Sequence, residues 1–371
     1  MTSKSLLSIL IVGAVLVCAA ARAQANQAPV VTNVTAEQQG DCGDIVDIYY
    51  DLADPDDDVC SVWLKISEDG GTTWTVPVAY VSGDIGPNVT LQGTEPEHKQ
   101  IIWNVGRDAP GKKGSDFVAR VCADDKHYLE DTDMCYVAAG LFETSTGLPW
   151  VYLDAYWIDT YEVTNELYCL FLNSGGNDDH WHTEMEEIVR VGEDPNYSYS
   201  PNPGYEQRPV RWVTWLDAAA FCDWRSGEEG LPPGSYYLPT EAQWEKAAAW
   251  DPDQKKFWTY GFQSDTIDCN KCNYNYCVGH TTDVGSYPYT SYYGCYDMSG
   301  NLYEWCADWY VSAGYPSSSY NPTGPSSGTS RVLRGGYYNK SATYAEAGSR
   351  ILNTPSYVDA AYGFRCARTL E

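Results

Sequence analysis

The run Gly294-Cys295-Tyr296-Asp297-Met298-Ser299-Gly300-Asn301-Leu302-Tyr303-Glu304-Trp305-Cys306-Ala307-Asp308-Trp309-Tyr310 constrains this chain more than any other stretch. It mixes aromatic rings, small turn residues and carboxylates at intervals that neither a plain helix nor a plain strand requires. Asp297, Asn301 and Glu304 are hard oxygen donors, and Ser299-Gly300 supplies a tight turn that lets carbonyls point inward. Such a set suits a hard cation such as calcium better than zinc or copper. On residue types alone the simpler reading is a polar turn followed by an amphipathic strand, with Trp305 and Trp309 in the core.

The other end of the chain reads as an export signal. Lys4 precedes an apolar run over 6–17, too short to span a bilayer comfortably, and Ala21-Arg22-Ala23 and Ala23-Gln24-Ala25 are cleavage sites. Residues 1–25 are therefore expected to be removed. A lipoprotein reading through Cys18 is the weaker one, because Ala and an ordinary cleavage site follow it. Without Cys18 the 13 cysteines become an even 12, as expected of disulfides in an oxidising compartment. The expected location is extracellular or periplasmic, the cell surface included, with no transmembrane span. A net charge of -28 excludes nucleic acid and anionic lipid as partners, since both would be repelled. The 31 Tyr and 14 Trp suggest either a ring-rich core or a sugar- or protein-binding face.

Short alternating segments over 30–35, 45–52, 59–67, 76–81, 101–105 and 117–122 are separated by turn residues. That rhythm predicts an all-β sandwich of immunoglobulin or fibronectin type over 26–137. Trp74 is expected to return to its core after a hairpin tip, and Cys42, Cys60, Cys122 and Cys135 to form two bridges there. The acidic run 54–58 lacks the spacing of a calcium loop and reads as an exposed turn. From 138 to 371 the texture changes to long loops and few helices. A helix over 164–172 is capped by Thr164 or Asn165, with Leu167, Leu170 and Phe171 as its stripe. Residues 173–208 read as surface loop. Within them His180 and His182 share one face but no third ligand is in view, so plain surface histidines are expected. A strand over 209–213 leads to Thr214, which caps a helix over 215–225, and Thr240 with Gln243 forms a capping box for another. Cys269, Cys272 and Cys277 resemble a metal knuckle with only His280 as a fourth candidate, and disulfides are the expectation.

These pieces together resemble the formylglycine-generating enzyme, or sulfatase-modifying factor, family. The carriers are Ile158-Asp159-Thr160-Tyr161-Glu162-Val163-Thr164-Asn165, Arg211-Trp212-Val213-Thr214-Trp215, Leu238-Pro239-Thr240-Glu241-Ala242-Gln243-Trp244-Glu245, Tyr296-Asp297-Met298-Ser299-Gly300-Asn301-Leu302-Tyr303-Glu304-Trp305, Arg331-Val332-Leu333-Arg334-Gly335-Gly336 and Gly363-Phe364-Arg365, in the family's order. The resemblance implies an α+β C-type lectin-like domain with little regular structure and bound calcium. It implies calcium at Asp297 and Glu304 through carboxylates and at Gly300 and Leu302 through carbonyls, which reverses the simpler reading of that stretch. A second calcium site would fall at Asn273 and Tyr274, but Tyr276 and Cys277 stand where its carboxylate should follow. It also implies a Cys222–Cys366 bridge, while a further bridge of the family is missing at Ala248 and Ser349. Cys169, Cys269, Cys272, Cys277, Cys295 and Cys306 would then make three more bridges, in no assigned order. The family's oxidases bind copper(I) through two cysteines just after the Gly-Gly turn; here Lys340 and Ala345 hold those positions, so no catalytic residue and no copper are expected.

The expectation is a secreted, non-catalytic, calcium-stabilised recognition or structural protein, with the sandwich as spacer. One alternative is a copper-dependent formylglycine-generating oxidase or another family enzyme with altered chemistry, for which Cys272 and Cys277 share the five-residue offset of the missing pair. A third reading is a diversified ligand-binding face at Tyr337, Tyr338, Asn339, Ser341 and Tyr344, with Asn353 and Tyr357, taking a protein or glycan. Self-association into a surface layer or fibre is a fourth. Asn33, Asn88, Asn196 and Asn339 fit the N-glycosylation pattern.

Overall fold

The computed structural model describes residues 29–39, 44–54, 60–71, 76, 78, 80–109, 117–124, 134–145, 150–194, 196–314 and 320–369. The expected export signal, Cys42, the run 55–58, Trp74 and the Cys122 side chain fall outside what is described.

Two antiparallel sheets make the first unit. One orders the strands Val30–Gln38, Ile45–Ala53, Glu97–Asn104 and Val81–Gly83; the other has Cys60–Ser67 between Gly86–Val89 and Val118–Asp124. Alternation does the work expected of it: Ile48, Tyr50 and Leu52 from one sheet meet Val62, Leu64 and Ile66 from the other in one core. The strand expected over 76–81 is in two pieces, Val76 making a lone bridge to Ile66 before Val81–Gly83 joins the other sheet.

The strand Met134–Val137 lies just before the boundary expected at 137. It pairs with Tyr156–Asp159, whose other edge carries Ala367–Thr369, so it belongs to the second unit and takes Cys135 with it. Cys135 therefore cannot bridge within the first unit. The second principal sheet orders Ile351–Asn353, Arg331–Arg334, Tyr303–Trp309 and Tyr362–Gly363. Three helices pack around these sheets: Asn165–Asn173, Trp215–Glu228 and Glu241–Ala249.

Each helix starts where its cap dictates. Thr164 accepts from the Leu167 amide, and Thr214 with Asp217, and Thr240 with Gln243, close reciprocal capping boxes. The buried stripe of the first helix is Tyr168, Phe171 and Leu172, and Leu170 points outward at 56% exposure. Residues 173–208 hold more structure than expected: a hairpin of Ile188–Glu193 with Asn196–Pro201 closes over that helix. The expected strand 209–213 reduces to single contacts, Pro209 bridging Thr164, because Trp212 at φ +65° leaves the extended conformation. Among the described residues no helix is long and apolar enough to cross a membrane.

Candidate functional site

The stretch 294–310 is both a turn and a strand. Asp297, Gly300 and Asn301 all have positive φ, and Tyr303–Trp309 then runs through the core with Trp305 fully buried. A Cβ on Gly300 would sit 2.3 Å from the Asn273 carbonyl oxygen, so only glycine fits.

Beneath this turn lies a buried charge cluster. Arg365 donates from Nε to Glu304 Oε2 (2.6 Å) and from Nη2 to Glu304 Oε1 (2.8 Å), while Trp244 Nε1 donates to Oε2 at 2.8 Å. Arg365 also reaches the carbonyls of Asp159, Thr160 and Tyr296, which ties the turn to the sheet edge. Both oxygens of Glu304 are thus engaged by a guanidinium. Asp297 Oδ2 accepts from the Gly285 amide at 2.7 Å, and burial pushes its carboxyl up to about 6. Glu162 is the member that residue chemistry did not single out. Its Oε2 accepts from Asn301 Nδ2 at 2.8 Å, its Oε1 is buried with no partner, and burial with Asp297 and Glu304 nearby drives its pKa well above the usual range. Glu162, Asp297 and Glu304 share one guanidinium, an arrangement short of positive charge. Among the described residues no three His, Cys, Asp or Glu side chains close on one point as a metal cage.

The region proposed for a second cation is also under-satisfied. Asn273 Oδ1 and Thr281 Oγ1 are buried without partners, while the Asn273 amide donates to the His280 carbonyl and its own carbonyl accepts from Asn301 N. Tyr274 packs beside Cys272 and Ala345.

The cysteines resolve into pairs and singles. Cys269 and Cys277 are bonded, which leaves Cys272 a buried thiol and removes the Cys272/Cys277 pair as a dithiolate. Cys222 and Cys366 lie with Sγ atoms 3.5 Å apart, unbonded here, and Cys135 hydrogen-bonds Cys295. Cys169 and Cys306 are buried thiols in separate elements, so three bridges among the six expected cysteines do not form.

Past Gly335 and Gly336 the chain turns sharply; a Cβ on Gly336 would meet the Tyr344 carbonyl at 2.6 Å. The turn opens a cleft of about 300 Å³. Of the expected face, Tyr337, Asn339 and Tyr344 line it, whereas Tyr338 turns its ring to Tyr276 and Ser341 is exposed outside it. Sequence reasoning missed Tyr303 and Tyr362, which complete the wall from the adjoining sheet, and Asp359 from the loop before Tyr362–Gly363. The phenols of Tyr344 and Tyr362 are close enough to raise the Tyr303 hydroxyl beyond what burial alone does. Lys340 stands at the rim, exposed, and Ala345 is buried below.

His180 and His182 are not bare surface histidines. Their Nδ1 and Nε2 atoms meet the two oxygens of Asp217 at 2.8 and 2.7 Å, clamping the loop to the helix N-terminus. With Thr214 also donating to it, Asp217 is held well below the usual carboxylate range against the opposing effect of burial, and Asp217 raises His182.

Comparison with known proteins places these features. The sulfatase-modifying factor enzyme 1-like domain model matches residues 120–370, and the chain belongs to that family. It is 33% identical over 255 residues to the serine/threonine-protein kinase Pkn1 of Chlamydia trachomatis, covering 65% of this chain and 39% of the relative. It is 33% identical over 195 residues to the formylglycine-generating enzyme of Thermomonospora curvata, covering 48% and 60%. It is 31% identical over 184 residues to the mouse inactive C-alpha-formylglycine-generating enzyme 2, covering 45% and 52%. Among solved structures, Treponema denticola variable protein 1 aligns at a TM-score of 0.48 and 27% identity, over 63% of this chain and 94% of that one. The chain spans two fifths or less of the length of the Chlamydia relatives that it matches.

Proposed function

We propose that this member of the sulfatase-modifying factor family is an exported, non-catalytic recognition module, stabilised by calcium and carried on a spacer of immunoglobulin type. The observation that carries the reading is the wall of the cleft. Where the family's oxidases would present two thiolates, this chain has the Lys340 ammonium at the rim and the Ala345 methyl in the core. Neither binds copper(I), which needs soft sulfur ligands. The alternative pair fares no better, because Cys277 is spent in its bond to Cys269. What remains is a concave surface of tyrosine, asparagine and two charges, a composition suited to recognising a protein or glycan ligand. The similarity to a mouse protein whose name describes it as inactive supports the same reading.

Calcium fits the buried cluster on chemical grounds. Asp297 and the carbonyls of Gly300 and Leu302 are hard donors on one turn, and the orphaned Glu162 Oε1 supplies a further acceptor with no hydrogen to receive. Glu304 would be shared with Arg365. A divalent cation here neutralises the carboxylates and stiffens the turn that supports the cleft wall at Tyr303.

The test of the non-catalytic reading is direct. Purified protein, supplied with copper, oxygen and a sulfatase-type cysteine peptide, is expected to leave the cysteine unchanged by mass spectrometry. Conversion to formylglycine overturns the proposal.

A further inference from the structure

The cleft holds two charges of opposite sign that do not neutralise each other. Lys340 and Asp359 both line it, and neither forms an ion pair among the described residues. Asp359 uses Oδ1 to accept from the Ala361 amide at 2.9 Å, which fixes the carboxylate while Oδ2 takes no described hydrogen bond. Asn339 is a third polar lining residue, but its Oδ1 is itself buried without a donor and is closed to a ligand. Tyr303, Tyr337, Tyr344 and Tyr362 share the lining, with Tyr344 46% exposed. An unpaired carboxylate calls for a group with both positive charge and N–H donors; ring faces favour the same charge. The ammonium of Lys340 calls for an anion.

We propose that the cleft binds a small zwitterion: a primary ammonium, taken by Asp359 and the tyrosine rings, joined to a carboxylate or phosphate taken by Lys340. This rests on the recognition reading above and adds the ligand's chemical class. A volume of about 300 Å³ admits an amino acid or an aminoalkyl phosphate and excludes a folded partner, which could insert only a terminus or head group.

The experiment is a calorimetric titration of the full-length protein, in calcium, with O-phosphoethanolamine, β-alanine, ethanolamine and phosphocholine. O-phosphoethanolamine or β-alanine is expected to bind at least tenfold more tightly than ethanolamine, which lacks the acid, and than phosphocholine, which lacks N–H donors. Lys340→Met is expected to weaken the zwitterion tenfold or more and leave ethanolamine unchanged; Asp359→Asn, which keeps an acceptor for Ala361 N, is expected to weaken both. Circular dichroism of each variant establishes that it folds. Sedimentation with phosphatidylethanolamine vesicles separates a lipid head group from a free ligand, both within the class. Equal binding of all four probes, or variants that bind like the parent, overturns the zwitterion. Binding to neutral oligosaccharides on an array, unmoved by either variant, overturns the zwitterion but keeps the recognition reading. No binding to the probes overturns the zwitterion, whereas the recognition reading, which admits a protein ligand, is overturned by conversion of the cysteine peptide.

Discussion

Glu162→Gln separates the cation's contribution from that of the protein. Without a cation, burial and the neighbouring Asp297 and Glu304 carboxylates push Glu162 well above the usual carboxylate range and favour its neutral acid, whose shape Gln keeps. The bond from Asn301 Nδ2, at 2.8 Å, still finds a carbonyl oxygen. In EGTA the variant is therefore expected to lie within about 1 kcal/mol of the parent, the scale of one net hydrogen bond. With calcium at a hundredfold excess over its Kd, the parent gains about 2.7 kcal/mol. Each tenfold fall in affinity removes at most about 1.4 kcal/mol of that gain, or about 3–6 °C in the melting of a domain this size. The assay is thermal unfolding followed by tryptophan fluorescence, with and without calcium, across pH. The pH dependence follows from linkage. Asp297 binds its proton more tightly in the folded state, up to about 6 against an ordinary 3.8, so in EGTA the folded state gains from protonation below pH 4 and loses that gain as pH rises towards 6. Calcium displaces that proton, so its stabilisation is expected to grow over the same interval. A Glu162→Gln protein that keeps the full calcium shift, or that loses more than about 2 kcal/mol in EGTA, refutes the reasoning.

Two further outcomes follow from the same core. Arg365→Met leaves Glu304 buried and uncompensated and releases three carbonyls; a loss of about 3–5 kcal/mol is expected in urea unfolding, partly recovered by calcium, and a loss below about 1 kcal/mol contradicts the pairing. Non-reducing peptide mapping is expected to find Cys269 joined to Cys277 and, in oxidised protein, Cys222 to Cys366 and Cys135 to Cys295; a bridge that uses Cys169 or Cys306 contradicts the geometry.

What could be read from the sequence was local. Thr164, Thr214 and Thr240 cap helices through neighbours three residues away, and the alternation of the first unit predicted its two-sheet core directly. The six motif blocks likewise identified the family before any geometry. Non-local partners were not legible. Arg365 meets Glu304 across 61 positions and Glu162 meets Asn301 across 139, so no spacing announces that one carboxylate is taken and another orphaned. The histidines looked partnerless for the same reason, their Asp217 lying 35 and 37 residues on. Tyr337, Asn339 and Tyr344 of the cleft were named from the tyrosine-rich segment, and Tyr303, Tyr362 and Asp359 were not, because they arrive from other segments of the fold.

The strands Met134–Val137 and Ala367–Thr369 flank Tyr156–Asp159 on its two edges and run the same way. The chain enters that ladder opposite Asp159 and leaves it opposite Tyr156, at the other end. Tension between the two ends of the domain is thus carried along the strands, and the rungs are loaded together in shear instead of opening one by one. None of these three strands supplies a residue to the cleft wall. A module mounted in this way can be pulled upon without its cleft wall being the first part to give.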